Sequence, residues 1–425
     1  MTPSFARVLA SIASLGLVAT AAAACTGGDD PGGGPDAGRD PVPFDTPYVA
    51  PADRIDPVDA ATWDDAAFRA LGAARAAAPP TLPATAAARY VSAATGDDGN
   101  DGSAAAPWQT LHHAAEVVEP DTTVWIDASG DYQGGVRLAR GGRDGAWVVF
   151  AAMPGTRPRV VGDPDSDAVI EVDASWVVVA GLEIADHQRA GLADTYGIDV
   201  EPSAGDLAHV QILSNLVHDI GPGVIDAPSC AYDGHGIIAQ AEGYRIAALT
   251  IDGNEVHDVY AGSSEVVVVN GLVEGFRVTR NYVHDVDNIA IDIIGYERSP
   301  VETTTDGLVA DNVVLDASNY WPYCTRGNCA YPAGDESSDG IYVDGGADLV
   351  IEHNVVGRAD HGIELQSENG ELIRDAEVRF NLVFNSNYRN LTIGASERTS
   401  EHDNVLLDEP RLDDPVLASC APLSP

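Results

Sequence analysis

The chain has 425 residues, and its 66 acidic and 23 basic residues give it a formal net charge of −43 at pH 7. All 23 basic residues are arginine, so the sequence contains no lysine. A surface this acidic repels nucleic acid and anionic lipid, and we predict no nucleic-acid partner. It also repels anionic polymers unless cations such as Ca²⁺ bridge the charges. Because no Gly-rich phosphate loop or Walker sequence is present, we expect no organic cofactor.

The N-terminus has the features of an export signal. Arg7 precedes an apolar run from Val8 to Ala24, which is too short and too Ala-rich for a membrane span. Cys25 follows directly, and the Gly/Pro/Asp-rich stretch behind it is unable to bury a core. Residues 1–25 therefore resemble a bacterial lipoprotein signal, with lipidated Cys25 as the membrane attachment. Ordinary signal cleavage nearby is the alternative. Both place the protein outside the cytoplasm of a bacterium, in the cell envelope or the medium.

The other four cysteines suggest disulfides, because an even number is typical of exported proteins. They are Cys230, Cys324, Cys329 and Cys420. We predict Cys324–Cys329, which closes a short loop, and Cys230–Cys420 then follows by elimination. A structural zinc site is not expected, because the CxxC spacing is absent.

We predict that residues 26–88 are a linker with a helix at 58–78, where the sequence is Ala-rich. The main domain is predicted to span 89–425. It opens with a strand, an Asp/Gly turn and a short helix that starts at Pro107, since proline is favoured at the first helical position.

One unit recurs from Trp176 onward: a short apolar strand, then Asn-x-Val and an Asp or Asn. A second strand in each unit often opens with Gly-Ile. The anchoring asparagines are Asn215, Asn254, Asn281, Asn312, Asn354, Asn381 and Asn404, at spacings of 39, 27, 31, 42, 27 and 23 residues. Such repeats without long helices predict a solenoid in which each strand pairs with its equivalent in the next coil.

The segments at 90–126 and 140–162, together with the Asn-x-Val coils, resemble right-handed parallel β-helix proteins related to pectate lyases. They are most similar to the family-nine polysaccharide-lyase branch. The resemblance covers about residues 89–415 and implies an all-β, right-handed parallel β-helix with a short N-terminal capping helix. It implies little about the reaction, because this fold hosts lyases, hydrolases, epimerases and non-catalytic binders.

Three His-Asp pairs follow the Asn-x-Val units: His218-Asp219, His257-Asp258 and His284-Asp285. The valine before each histidine belongs to a column that is apolar at every coil, so the valines point inward and the histidines outward. The Asp or Asn column continues into coils that lack the histidine. We therefore interpret the pairs as turn residues, and a metal site of three stacked histidines is the alternative.

The outward positions of the Gly-Ile strands carry the candidate catalytic residues Asp292, Tyr342, Asp344, His361 and Glu364. With coils about 4.8 Å apart, Asp292 lies diagonally from Asp344 at about 8 Å, a spacing that suits inverting glycoside hydrolysis. We predict that the three carboxylates are acid, base or Ca²⁺ ligands, and that Tyr342 and His361 transfer protons. Alternatively, they are ordinary solvated residues of an acidic solenoid.

Asp339 and Asp344 are the predicted ligands of Ca²⁺, the one cofactor we consider. The insertion at 317–340 carries Tyr320, Trp321 and Tyr323, whose rings are predicted to stack on sugar faces beside Arg298. Packing of these rings on the sheet is the alternative interpretation.

The resemblance implies a lysine base for a family-nine lyase, and no lysine is present to fill that role. We predict an exported, surface-anchored and monomeric carbohydrate-active enzyme, either a lyase or a hydrolase, that acts on an extracellular polysaccharide. The alternative is a non-catalytic β-helix that binds glycans or partners at the cell surface.

Overall fold

The computed structural model describes residues 41–189, 194–222, 233–318 and 337–408. Within these ranges the strands form two sheets, one of 20 strands and one of 10 strands. Each strand pairs in parallel with the equivalent strand of the next coil, as in the pairing of Val217 with Val256 and of Val256 with Val283. The predicted fold class, an all-β parallel β-helix, is confirmed.

The helices and strands have the following bounds. The helices are α1 (Pro57–Ala60), α2 (Asp65–Ala76) and α3 (Leu111–Val117). The first half of the strands comprises β1 (Ala87–Val91), β2 (Thr122–Ile126), β3 (Tyr132–Gln133), β4 (Val136–Leu138), β5 (Val148–Ala152), β6 (Arg159–Val161), β7 (Ala168–Val172), β8 (Val177–Ala180), β9 (Glu183–Arg189), β10 (Thr195–Val200), β11 (Leu207–Ala208), β12 (Val210–Leu213), β13 (Leu216–Pro222), β14 (Gly234–Asp252) and β15 (Glu255–Val259). The second half comprises β16 (Glu265–Thr279), β17 (Tyr282–Val286), β18 (Ile289–Ile294), β19 (Thr305–Ala310), β20 (Val313–Ala317), β21 (Asp339–Asp344), β22 (Ala347–Glu352), β23 (Val355–Gly357), β24 (His361–Leu365), β25 (Ile373–Arg379), β26 (Leu382–Phe384), β27 (Arg389–Ile393), β28 (Ser396–Glu397), β29 (Ser400–His402) and β30 (Val405–Leu407). The smaller sheet consists of β3, β6, β9, β13, β15, β17, β20, β23, β26 and β30.

The core lies between the two sheets and consists of one continuous apolar cluster. The predicted inward valines of the smaller sheet are fully buried: Val217, Val256, Val283, Val314, Val356 and Val383. Leu406, the last member of the predicted column, is 43% exposed. It lies on β30, which has a neighbouring strand on one side within the described part of the chain.

The asparagine column forms a continuous ladder of hydrogen bonds. The Oδ1 atom of Asn312 accepts hydrogen bonds from the backbone N–H of Asn281 at 2.9 Å and from its side-chain amide at 3.0 Å. Asn354 accepts the same two bonds from Asn312 at 3.0 and 2.9 Å. Since these side chains are fully buried, each coil supplies the polar partner that the next coil needs.

The residues after the outward histidines are in the left-handed region. Their φ angles lie between 49° and 60° at Asp219, Asp258, Asp285, Asp316, Arg358, Asn385 and Asp408. Aspartate and asparagine tolerate this region better than most residues. Asp219, Asp258 and Asp285 lie within β13, β15 and β17, so they bend these strands rather than form turns between them.

The three outward histidines form a stack rather than a convergent site. The ring centroids are 5.1 Å apart for His218 and His257 and 5.0 Å apart for His257 and His284. Each Nδ1 atom faces the next aspartate in the sequence, at 2.6 to 2.8 Å. Their nitrogens do not form a metal-ligating group within the described residues.

The N-terminal helices pack on the outside of the smaller sheet. Phe68 stacks on Phe384 at 4.8 Å, and the guanidinium of Arg54 binds Asp311. Residues 55–76 thus belong to a second apolar cluster, which includes Tyr282 of β17. This segment lies within the predicted linker at 26–88. Its helix α2 contacts β17 and β20, and its helix α1 contacts β26.

The capping helix α3 begins at Leu111 rather than at Pro107, so its predicted start was wrong. The side chain of Thr110 accepts a hydrogen bond from the backbone N–H of His113 at 3.1 Å, and Thr110 is therefore the N-cap. Among the described residues, no helix has both the length and the apolar character to cross a membrane.

Candidate active site

The candidate site lies on the outer face of the larger sheet, on β16, β18, β21 and β24. Ile291 and Ile293 enter the core, so alternation along the strand turns Asp292 outward. Backbone pairing places Asp292 beside Tyr342 and Tyr342 beside Glu364. This is the register that the repeat alignment predicts.

Asp292 is a buried carboxyl group at the centre of the site. It is 1% exposed, and its Oδ1 atom has no hydrogen-bond partner within the described chain. Burial raises the pKa of Asp292 well above its ordinary value, and the charges of Glu265, Asp344 and Asp339 raise it further. Both effects favour the protonated, neutral form of Asp292.

Asp344 lies two residues beyond the partner of Asp292 and is partly exposed. Its two oxygens accept hydrogen bonds from the backbone N–H of Glu368 and from the amide of Asn369, the latter at 3.0 Å. Burial raises the pKa of Asp344 to about 7, and the negative charges of Glu368 and Glu297 contribute. This group exchanges its proton near neutral pH.

Tyr342 is held as a hydrogen-bond donor. Its hydroxyl donates to the backbone oxygen of Gln366 at 2.5 Å and lies 3.2 Å from Oε1 of Glu368. Burial, and then the charge of Asp344, raise the pKa of Tyr342 above its ordinary value. The geometry fits an orienting group better than the proton-transfer role predicted for this residue.

Glu265 belongs to the site and was missed from the sequence. It opens β16 in the apolar run "EVVVVN", which lacks the Gly-Ile signal, and its charge acts on Asp292. Burial raises the pKa of Glu265 to about 8, with Asp233 and Glu297 adding to the shift. The pairing register of β16 with β18 could have identified Glu265, because Glu265 pairs with Ile289 on the strand that carries Asp292.

We predict that Glu265→Gln makes stability less sensitive to pH. Between the ordinary pKa of 4.5 and the folded-state pKa of about 8, the folded protein keeps a proton that the unfolded chain releases. Stability therefore falls as pH rises through this window, and glutamine removes that loss. Urea denaturation at about pH 5 and about pH 8 should show a gain for the variant of at least about 1 kcal/mol at the higher pH only. An equal change at both pH values would contradict this interpretation.

Asp339, His361 and Glu364 form a compact group. Asp339 pairs with His361 across β21 and β24, and Nδ1 of His361 lies 3.1 Å from Oε2 of Glu364. One ligand atom from each of the three side chains lies within 4.8 Å of the other two. Asp339 belongs to this group, but Asp344, the other predicted Ca²⁺ ligand, does not. Among the described residues, the two predicted ligands therefore do not share one ligand group.

The remaining predicted residues lie elsewhere. Arg298 pairs with Glu242 and its side chain is 61% exposed. Outside the described residues lie Tyr320, Trp321 and Tyr323 of the predicted sugar-binding loop, Cys25 of the signal, and Cys230, Cys324, Cys329 and Cys420 of the predicted disulfides.

Parallel strands, stacked coils and an outward carboxylate cluster define the chain as a parallel β-helix protein. No family model matches the sequence. The uncharacterized protein YwoF of Bacillus subtilis (strain 168) is 33% identical over 317 residues, which make up 73% of this chain and 64% of YwoF. The chain thus spans less than two thirds of the length of that relative.

Several solved structures resemble this chain, among them a pectate lyase and a lacto-N-biosidase. Pectate lyase Pel9A has a TM-score of 0.51 at 14% identity, over 77% of this chain and 80% of that chain. A lacto-N-biosidase from Eubacterium ramulus has a TM-score of 0.48 at 12% identity, over 75% of this chain and 67% of that chain. The likeness to Pel9A shows that the fold is shared.

Proposed function

We propose that this protein is an exported carbohydrate-active enzyme that hydrolyses an extracellular polysaccharide by acid–base catalysis. The observation that carries the proposal is the placement of Asp292 and Asp344 on neighbouring strands, offset by two residues on one face. Before the reach of the side chains is counted, this offset separates them by about 8 Å. Inverting glycosidases hold their two carboxyl groups about 6.5–9.5 Å apart, so that a water molecule fits between sugar and base.

Burial assigns the two roles. In the proposed reaction Asp292 is protonated and gives its proton to the glycosidic oxygen as the bond from that oxygen to the sugar carbon breaks. Asp344 takes a proton from the water whose oxygen forms the new bond to the same carbon. The two roles differ because Asp292 is 1% exposed and its Oδ1 atom has no hydrogen-bond partner in the described chain, whereas Asp344 accepts two hydrogen bonds.

An uncharged polysaccharide is the substrate class that the electrostatics favour. The whole chain carries a net charge of −43, and a substrate meets this negative field before it reaches the site. A polyuronate would meet repulsion at every approach to this face unless cations intervened. The likeness to a pectate lyase supports a polysaccharide substrate but does not extend to the charge of its sugar.

A cation-dependent lyase is the second candidate, and the group of Asp339, His361 and Glu364 favours it. Elimination from a uronate needs a base and a cation that offsets the substrate carboxylate. The family-nine resemblance implies a lysine base, and the chain has no lysine. With His361 on the cation, the base would have to come from another residue, and Tyr342 does not offer one while its hydroxyl donates to the backbone oxygen of Gln366.

A panel of neutral and uronate polysaccharides, incubated with the purified protein with and without EDTA, tests the proposal. We expect new reducing ends from a neutral polysaccharide, without the ultraviolet absorbance of unsaturated products. Absorbing products that EDTA abolishes would support the lyase instead. Binding to a polysaccharide without turnover would support the non-catalytic alternative.

Export and surface anchoring are part of the same proposal. The apolar run that ends at Cys25 supports them. Labelled palmitate supplied to a bacterial expression host should be incorporated into the protein and not into a Cys25→Ala variant. Secretion of an unlabelled, cleaved wild-type protein would contradict the lipid anchor while leaving export in place.

A further inference from the structure

Asp339, His361 and Glu364 converge beside the proposed acid–base pair. Each offers one ligand atom within 4.8 Å of the other two. Asp339 is 5% exposed, and the side chains of His361 and Glu364 are 13% and 15% exposed. In the part of the chain that the structure describes, no other three His, Cys, Asp or Glu residues converge in this way.

The three side chains project from β-strands rather than from a loop, and close packing of the strand backbone holds them in place. Asp339 and His361 are paired residues of adjacent strands, and each is followed by a glycine. A Cβ atom on Gly340 would lie 2.2 Å from Cγ1 of Val356, and one on Gly362 would lie 2.2 Å from Cγ1 of Val383. The strands therefore lie so close to the smaller sheet that only glycine fits at these two positions. This packing restricts movement of the strands, and with it movement of the ligand atoms of Asp339, His361 and Glu364.

We propose that Asp339, His361 and Glu364 bind one divalent transition-metal ion, with Zn²⁺ the best fit. One imidazole and two carboxylates are common zinc ligands, whereas Ca²⁺ takes about 6–8 oxygen ligands. An imidazole donor selects further against Ca²⁺ and Mg²⁺. Three protein ligands leave a coordination position open for water or a substrate oxygen, as in catalytic rather than structural zinc sites.

A second observation concerns Asp292, which lies two strands away from His361 and Glu364 on the same sheet. Asp292 lies on the strand next to Tyr342, which in turn pairs with Glu364. Its Oδ1 atom is buried and has no hydrogen-bond partner among the described residues. Asp339 is one of the charges that act on it. Burying several carboxyl groups together is unfavourable, and a divalent cation among them offsets that cost.

Metal binding is tested without substrate, so its outcome is independent of the proposed hydrolysis. Tag-free, full-length protein is dialysed against EDTA and titrated with ZnCl₂ by isothermal calorimetry at neutral pH. We expect one Zn²⁺ per chain, an affinity for Zn²⁺ at least about a hundredfold above that for Ca²⁺, and a Tm that rises with Zn²⁺ concentration.

Two variants and one control identify the ligands. His361→Ala and Glu364→Gln should each lower the Zn²⁺ affinity by more than about tenfold, and the second preserves the side-chain shape if the first fails to fold. His112→Ala, at an exposed position of α3, should leave the affinity unchanged. The absence of saturable Zn²⁺ binding, full affinity in both ligand variants, or equal affinity for Ca²⁺ and Zn²⁺ would overturn the proposal.

Discussion

Asparagine in place of Asp344 is expected to lower kcat about 10²–10⁴-fold and to leave KM within a few-fold of the wild-type value. The amide keeps the size of the side chain but is unable to accept a proton from water. Asp292→Asn should cause a loss of the same order, because the amide has no acidic proton for the glycosidic oxygen. Initial rates of reducing-end formation on the polysaccharide identified in the panel provide the measurement.

The pH dependence of kcat/KM tests the role of Asp344 as the base. Burial, with nearby carboxylates, raises the pKa of Asp344 to about 7, and a base acts only when it is ionised. For the wild type, kcat/KM should therefore rise with pH through about 7. Asp348→Asn is the matched control, because Asp348 is exposed beyond the end of β21 and should retain wild-type rates. Undiminished turnover in Asp344→Asn, or a rate that does not change with pH across about 6–8, would contradict its role as base.

The coil architecture was predictable because it repeats. The Val column sets the inward face, and the Asn column sets the bend at each coil, so one unit aligns all the others. The positive φ of the Asp column also follows from local chemistry, since aspartate tolerates this region. The docking of α2 was not predictable in the same way. It depends on contacts such as Arg69 with Asp316, which are separated by 247 residues and leave no periodic signal.

For the candidate site, sequence reasoning identified residues but not their electrostatics. The alternation of strands placed Asp292, Tyr342 and Glu364 on one face, and the register has that order. The raised pKa of Asp292 arises from burial and from charges on three other strand positions, none of which is local in sequence. Glu265 was missed for the same reason, because an apolar run follows it in the sequence while acidic groups surround it in space.

Replacement of Asn312 by alanine is expected to lower the free energy of unfolding by about 3–4 kcal/mol. Asn312 is fully buried, and its Oδ1 atom is the acceptor for the backbone N–H of Asn281 at 2.9 Å. Its side-chain amide donates to the backbone oxygen of Val278 at 2.9 Å. Alanine leaves both buried groups without these partners. Urea denaturation measures the loss, and Asn270→Ala, which removes an exposed hydrogen bond to Glu297, should cost less than about 1 kcal/mol.

Aspartate at position 312 distinguishes the hydrogen-bond pattern from mere side-chain volume. An ionised aspartate still accepts the hydrogen bond from Asn281. In the wild type, the amide of Asn312 donates to Oδ1 of Asn354 at 2.9 Å. In the variant, the second carboxylate oxygen takes the place of that amide and faces the same Oδ1 atom. Two acceptors then oppose each other in a buried site, so the carboxyl keeps its proton in the folded state and its pKa is raised. Stability of Asn312→Asp should therefore be highest at low pH and fall as pH rises above the unfolded-state pKa of about 3.9. If Asn312→Asp is as stable as wild type at neutral pH, the ladder does not depend on alternating donors and acceptors, and side-chain packing explains the column.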